Sequence, residues 1–328
     1  MSNRLDVVAI GNAIVDVVAQ IEDNFLGSNG VEKGIMTLID QHRAQSLYSA
    51  MPAATEISGG SAANTAAGAA ALGASTGFLG KVRDDQLGQI FGHDLRAQGV
   101  EYSGPVTSTD SDAETSRCLV LVTPDGERSM STFLGASVDL VADDIDIDLM
   151  GRADWLYLEG YLFDTPEAKA AYARAIWATK KNGGRTSITL SDPFCVDRHR
   201  DDFRRLIRDE MDLLFANKAE LMSLYQTDDL ASALDQVSKD CAIAAVTMSE
   251  EGAVIVRGEQ RTRVPAQATE VVDTTGAGDL FAAGFLAGLA QGADDARSAA
   301  MGCAAAGEII SHIGARPQAD LKALISQL

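Results

Sequence analysis

The chain has 328 residues, 46% of them hydrophobic, and 27 Lys+Arg against 47 Asp+Glu give a formal net charge of -20. That length closes a large core as one big domain, or as one domain with a smaller appendage. The charge, with no basic cluster, excludes broad positive surfaces for nucleic acid or anionic membrane, so any anionic ligand has to be held by local devices.

In chain order, short β-branched runs alternate with longer helical patterns. The runs are VVAIG near 7, STGFLG near 75, DWLYLEG near 154, TSITLSD near 186, DLLFAN near 212 and AIAAVTM near 242. This alternation predicts a doubly wound α/β fold, a mostly parallel sheet with helices on both faces. Between the first and third runs the pattern changes. AIVDVVAQI, GIMTLI and RCLVLVTPDGERSMSTFLG read as antiparallel strands without helices, the last pair joined by a Pro-Asp-Gly turn, and predict a small β-sheet lid on the core. We expect a single domain over 1–328, with lid strands from about 12–38 and 104–135. Residues 59–75, GGSAANTAAGAAALGAS, read as a tightly packed helix. Residues 104–116, rich in Ser, Thr and Asp, read as a solvated surface loop.

Cys118, Cys195, Cys241 and Cys303 show no C-x-x-C pairing, and His42, His93, His199 and His312 no H-E-x-x-H spacing. Zinc and disulfide readings fall away, as suits a reducing cytoplasm. The apolar stretch 7–21 is interrupted by Asn12 and Asp16, and Leu280 to Ala290 is too short to span a bilayer. A cytoplasmic protein is expected.

The segment DTTGAGD, residues 273 to 279, carries the strongest chemical signal. Glycines at 276 and 278 allow the amides of Gly276, Ala277 and Gly278 to point at one spot. A helix starting there adds partial positive charge, which makes an anion site without any lysine. Asp279 then sits beside the anion, placed to take a proton from a hydroxyl that attacks phosphorus. On spacing alone it is equally a first-turn acid that complements the helix dipole, with Asp273 or Thr274 as N-cap. Phe281 in place of a third glycine rules out the dinucleotide fingerprint, and Gly80-Lys81 lacks the remainder of a P-loop.

Alternation in GNAIVD places Asn12, Ile14 and Asp16 on one face of a strand. Among Val15, Val17 and Val18 an ionised Asp16 needs hydrogen-bond donors, which sugar hydroxyls supply; an exposed edge strand answers the same pattern. Gly59 and Gly60 permit close approach of backbone to a ligand, Ser61 is a cap candidate, and Asn64 in the next turn offers donor and acceptor.

DTTGAGD resembles the C-terminal signature of the ribokinase/phosphofructokinase-B (PfkB) family. GGSAANTAAGAAALG at 59, FLGKVRDDQLG at 78, NKAE at 217 and VTMSEEGA at 246 resemble that family in the same order. The resemblance implies a ribokinase-like fold and an ATP-dependent kinase with Asp279 as catalytic base and the 276–278 amides and Arg128 stabilising the transferred phosphoryl group. It implies that Asp16, Gly60 and Asn64, with Gly59 and Asn12 nearby, grip sugar hydroxyls. Asn217 and Glu220 match an N-x-x-E element associated with hydrated Mg²⁺, Glu220 acting through water, and Thr247, Ser249 and Gly252 match a strand and loop that line ATP. Ser249 replaces a common Gly. A helix from Ala299 to Gly314 is expected to border the adenine.

GNAIVD and LSDPF, residues 190 to 194, are similar to the adenosine kinase subgroup, with Asp192 where Ala is usual. Phe194, and second Tyr161, are then candidates to lie against a purine ring. The implied reaction is phosphorylation of the 5′-hydroxyl of adenosine to AMP, with ATP, Mg²⁺ and a candidate monovalent cation such as K⁺, in a monomer or homodimer. The alternatives are a kinase of ribose, fructose or 2-keto-3-deoxygluconate, and a nucleoside sensor without turnover.

Overall fold

In a computed structural model that describes residues 4–102, 104–107 and 112–328, a nine-stranded sheet forms the core. Seven strands run parallel: Ile243–Thr247, Leu213–Asn217, Arg185–Thr189, Ala153–Glu159, Leu5–Ile10, Thr76–Leu79 and Val100–Tyr102, in that spatial order. Ala253–Arg257 and Gln260–Val264 extend one edge antiparallel, a hairpin the run pattern had not revealed.

The parallel strands are apolar at successive positions because helices cover both faces. Val8, Ile10, Leu156, Leu158 and Leu214 join one core layer with Ala168, Phe203, Leu221 and Leu234 from helices on that side. Their strand neighbours Val7, Ala9, Trp155, Tyr157 and Phe215 join a second layer with Ala63, Phe91, Phe281, Phe285 and Cys303 from helices on the other. The small-residue stretch near 60 is the helix Ser61–Ala71, buried at Ala62, Ala63, Ala66 and Ala67, as its composition suggested.

The lid is a five-stranded sheet in the order Met36–Leu38, Arg128–Phe133, Ser116–Val122, Ile14–Gln20, Thr55–Gly59. Its central hairpin closes at residues 123–127, where Gly126 at φ +83° donates to the Thr123 carbonyl at 2.8 Å. Three features depart from the sequence expectation. The sheet is mixed, since Ile14–Gln20 runs parallel to Ser116–Val122 and Met36–Leu38 parallel to Arg128–Phe133. Helices Asp23–Ser28 and Gln41–Ala50 interrupt the strands. Thr55–Gly59, with little alternation to mark it, supplies an edge strand. Ile14–Gln20 is therefore interior, which removes the edge-strand account of Asp16.

Of the expected surface loop, residues 108–111 lie outside the described residues, while Val106–Thr107 pairs with Val82–Arg83. Among the described residues no helix is long and apolar enough to cross a membrane.

Candidate active site

Several of the candidate residues follow the C-terminal ends of parallel strands. Asn12 follows Leu5–Ile10, Tyr161 follows Ala153–Glu159, Phe194 follows Arg185–Thr189, Asn217 ends Leu213–Asn217, and Ser249 follows Ile243–Thr247. In open α/β sheets this rim is where ligands bind.

Gly276 adopts φ +80° and is the N-cap of the helix Ala277–Ala290, so neither Asp273 nor Thr274 caps it. The positive φ turns the chain abruptly into the helix, a conformation that favours glycine. A Cβ on Gly278 would meet nothing within 4 Å, so this side of the turn is open to a ligand. Clefts of about 680 and 420 Å³ open elsewhere, one beside Tyr48 and Arg117, the other beside Leu38 and Phe133. Asp279 lines neither.

Asp279 Oδ1 accepts from Ser61 Oγ at 2.6 Å and Oδ2 from Asn64 Nδ2 at 2.9 Å. Burial raises its pKa, while Ser61, Asn64 and the charge of Arg316 hold it down. Each carboxylate oxygen retains capacity for a second hydrogen. Ser61 therefore serves Asp279, and the N-cap of its own helix is Gly60.

Asp16 lies within electrostatic reach of Asp279; burial lifts its pKa to about 6 against the attraction of Arg316 and Arg128. A Cβ on Gly59 would fall 2.4 Å from an Asp16 oxygen. One on Gly60, at φ +91°, would fall 2.3 Å from the Asn12 carbonyl oxygen. The close approaches these glycines permit are thus to the site's own walls.

Asn12 does not share the face of Asp16. It precedes the lid strand and is 2% exposed; its Nδ2 donates to Glu159 Oε1 at 2.7 Å and its Oδ1 accepts from Ser137 Oγ at 2.9 Å. Glu159, which the sequence had not singled out, also accepts from Ala62 N at 2.9 Å, pinning the start of the Ser61–Ala71 helix. Burial raises its pKa to about 7 despite these donors.

Arg128 lies on the lid, but its Nη1 donates to Asp273 Oδ2 in an ion pair. Burial pushes the Asp273 pKa up, yet hydrogen bonds from Thr275 and Gly314 and the Arg128 charge hold it below the usual range.

Asn217 and Glu220 form a reciprocal capping box. Asn217 N and Nδ2 donate to the two Glu220 oxygens at 2.9 and 2.6 Å, and Glu220 N donates to Asn217 Oδ1 at 2.8 Å. Glu220 is 5% exposed, and burial raises its pKa to about 7. Among the described residues no group of three or more His, Cys, Asp or Glu is placed to hold a metal.

Phe194 is 74% exposed on the first turn of the helix Pro193–Glu210, whose N-cap Asp192 accepts from Cys195 N at 2.7 Å. Tyr161, 40% exposed, donates through its hydroxyl to the Ser191 carbonyl at 3.2 Å. Thr247 ends its strand, Ser249 adopts φ +51°, and Gly252 at φ +90° passes against the Val264 carbonyl. The helix expected over Ala299–Gly314 runs Asp295–Ile309, with Ala304 and Ala305 wholly buried in packing.

Arg316 also escaped the sequence reading. It donates to Asn64 Oδ1, and through Nη2 to Ser58 O and Oγ at 2.7 and 2.9 Å.

The family model for pfkB family carbohydrate kinases matches residues 34–321. A probable sugar kinase of Rhizobium etli is 50% identical, with a TM-score of 0.89 over 99% of this chain and 98% of that one. The adenosine kinase of Sinorhizobium meliloti is 49% identical, with a TM-score of 0.89 over 99% of both chains. A fructokinase of Klebsiella pneumoniae is 29% identical over 71% of this chain and 76% of that protein. A carboxylate at a glycine-flanked helix start, in a fold built on a ribokinase-like sheet, agrees with these likenesses: the chain belongs to the pfkB family of carbohydrate kinases and is a phosphotransferase that acts on a hydroxyl group.

Proposed function

We propose that this kinase transfers the γ-phosphoryl group of ATP to the 5′-hydroxyl of adenosine, giving AMP. The observation that carries the choice of a nucleoside is Phe194, a large aromatic side chain left 74% exposed just after the strand Arg185–Thr189. A purine gives such a face a stacking partner, whereas a free sugar does not. Likeness to the Sinorhizobium meliloti adenosine kinase across the full length of both chains supports the same choice.

Asp16 and Asn64 accept and donate hydrogen bonds to the ribose hydroxyls. Asp279 takes the proton of the 5′-hydroxyl as its oxygen bonds to phosphorus; the bond from phosphorus to the bridging oxygen breaks, and ADP leaves with that electron pair. The amides of Gly276 and Gly278 lie toward the charge of the transferred group; that of Ala277, which the sequence grouped with them, instead donates to the Thr274 carbonyl at 3.3 Å and joins only if that bond opens. Arg128 adds charge there once its bond to Asp273 is opened or shared. Mg²⁺, when bound, neutralises phosphate charge. Because Asn217 and Glu220 are spent on each other, phosphates and water would hold that ion, with Glu220 reached through water.

A fructose-directed enzyme is the second reading, favoured by fructokinase relatives. Turnover of adenosine, ribose, fructose and 2-keto-3-deoxygluconate, with the product weighed by mass spectrometry, decides. Adenosine is expected to lead in kcat/KM by at least about 100-fold. A free sugar in the lead rejects the nucleoside reading, and adenosine binding without product indicates a sensor.

A further inference from the structure

We propose that Arg316 is a positioning residue that fixes the Asn64 amide so that its nitrogen, and not its oxygen, faces Asp279. The inference rests on the reading of Asp279 as the base and is independent of which hydroxyl compound is the acceptor.

An amide side chain has two nearly isosteric orientations, and only its partners choose between them. A guanidinium has donors and no acceptor, so the Asn64 atom toward Arg316 has to be oxygen,. Nδ2 is thereby turned to Asp279 Oδ2, 2.9 Å away. The reverse orientation would set a carbonyl against a carboxylate and an NH₂ against a guanidinium, repulsive on both sides.

Arg316 is itself held. Its Nη2 reaches Ser58 O and Oγ, and Ser58 Oγ donates to Asp94 Oδ2 at 2.5 Å. A continuous line therefore runs from Asp94 on the helix Gln86–Ala97 through Ser58, Arg316 and Asn64 to the base. Arg316 Nε is buried without a partner among the described residues. A buried donor left unpaired costs stability, so the placement gives up one hydrogen bond of the guanidinium while keeping those to Asn64 and Ser58.

The neighbouring segment has the same orientation of purpose. Gly314 N donates to Asp273 Oδ2 at 3.1 Å, and Ala315 lies 3.2 Å from where a Gly276 Cβ would be. Three consecutive residues thus touch the start of the anion turn, its left-handed glycine and the partner of its acid.

Charges facing Arg316 come from three elements: Asp16 on the lid, Asp94, and Asp279. Around Asp279 stand Ser61, Asn64 and Arg316, with Asp16, Glu159, Tyr157 and Tyr161 also in electrostatic reach. Loss of Arg316 removes a cation that faces three acids, Asp279 among them, and frees the amide to turn. Both changes favour protonated Asp279.

The test is the pH profile of kcat, at saturating ATP and with whichever hydroxyl compound the wild type phosphorylates. For Arg316→Gln the acidic limb is expected to move up by about one pH unit, with kcat reduced near neutrality and recovering at higher pH. Arg316→Lys keeps the charge without the fork, so kcat is expected to stay low while the acceptor KM stays near wild type. Full recovery of kcat with lysine would mean that charge alone matters, and overturns the orienting role. So does a loss by the same factor at every pH. If Arg316 variants do not fold, Ser58→Ala, which removes one of Arg316's acceptors, is expected to move the limb the same way by less; an unmoved limb rejects the proposal. Asp279→Asn run alongside separates the two ideas, because near-normal turnover there discards the base and not the clamp.

Discussion

Arg128 and Asp273, 145 residues apart in sequence, form a largely buried ion pair that ties the lid sheet to the turn ahead of the Ala277–Ala290 helix. The lid is thus coupled to the anion turn before any ligand arrives. Breaking such a pair on one side leaves an uncompensated charge. Arg128→Met is expected to lower stability to urea by about 3 kcal/mol and kcat by about 10²-fold. Adding Asp273→Asn should recover part of the stability and none of the rate. A single variant as stable and as active as wild type would remove both roles.

Asp279→Asn is nearly isosteric and cannot take a proton. Steady-state kinetics are expected to show kcat down by about 10²- to 10⁴-fold with the acceptor KM little changed. A raised KM with normal kcat would instead make Asp279 a binding group.

Phe194 is so exposed that truncating it costs the fold little. Phe194→Ala is expected to raise the adenosine KM by about tenfold, near the upper range for an aromatic contact, with kcat and the melting temperature held. An unchanged KM would take the ring out of the acceptor site.

Gly60→Ala is expected to cost more than about 2 kcal/mol, since the residue has a positive φ and its Cβ would collide with the Asn12 carbonyl,. Gly27→Ala, whose Cβ meets nothing within 4 Å in the helix Asp23–Ser28, should be neutral or slightly stabilising. Urea denaturation of the pair compares them directly.

Stability without ligands should rise as pH falls from 8 to about 5.5. Burial lifts Asp16 to about 6 and Glu159 and Glu220 to about 7. A carboxyl with a raised folded pKa binds protons that the unfolded chain has released, so its penalty is absent below its unfolded pKa and grows as pH rises through the folded one. Asp125, Asp202, Asp209 and Asp273 shift downward, and their contribution is lost only as pH drops below about 4. Melting temperatures across this range test the sign. Activity should move oppositely, because Asp16 protonated below about 6 loses its charge and accepts more weakly from a substrate hydroxyl,.

What the sequence made legible was local. The Gly276 turn and Asp279 are near neighbours in sequence, so the helix start and the place of its acid follow from local residues; that the Ala277 amide is taken by the Thr274 carbonyl was not legible. Six of the seven parallel strands were legible from apolar runs, the edge strand Val100–Tyr102 being the one without a run, and the Asp16 strand was legible from alternation. Asn12 was misplaced because its partner Glu159 lies 147 residues away and no local pattern reports that distance. Arg316 was invisible for the same reason: its contact with Asn64 spans 252 residues. Asn217 and Glu220 carried a local signal as well, since a residue that can cap followed three positions later by Glu at a helix start is a capping box. Thr55–Gly59 lacked alternation, so the strand that delivers Gly59 and Gly60 had to be seen in the sheet.

The span from Asn64 to Arg316 also bears on biosynthesis. Strands and helices of the first half can condense while the ribosome is still adding the rest, but the guanidinium that settles the orientation of Asn64 is encoded far downstream. A nascent polypeptide that has not yet reached that codon holds the Asn64 amide without the guanidinium that orients it.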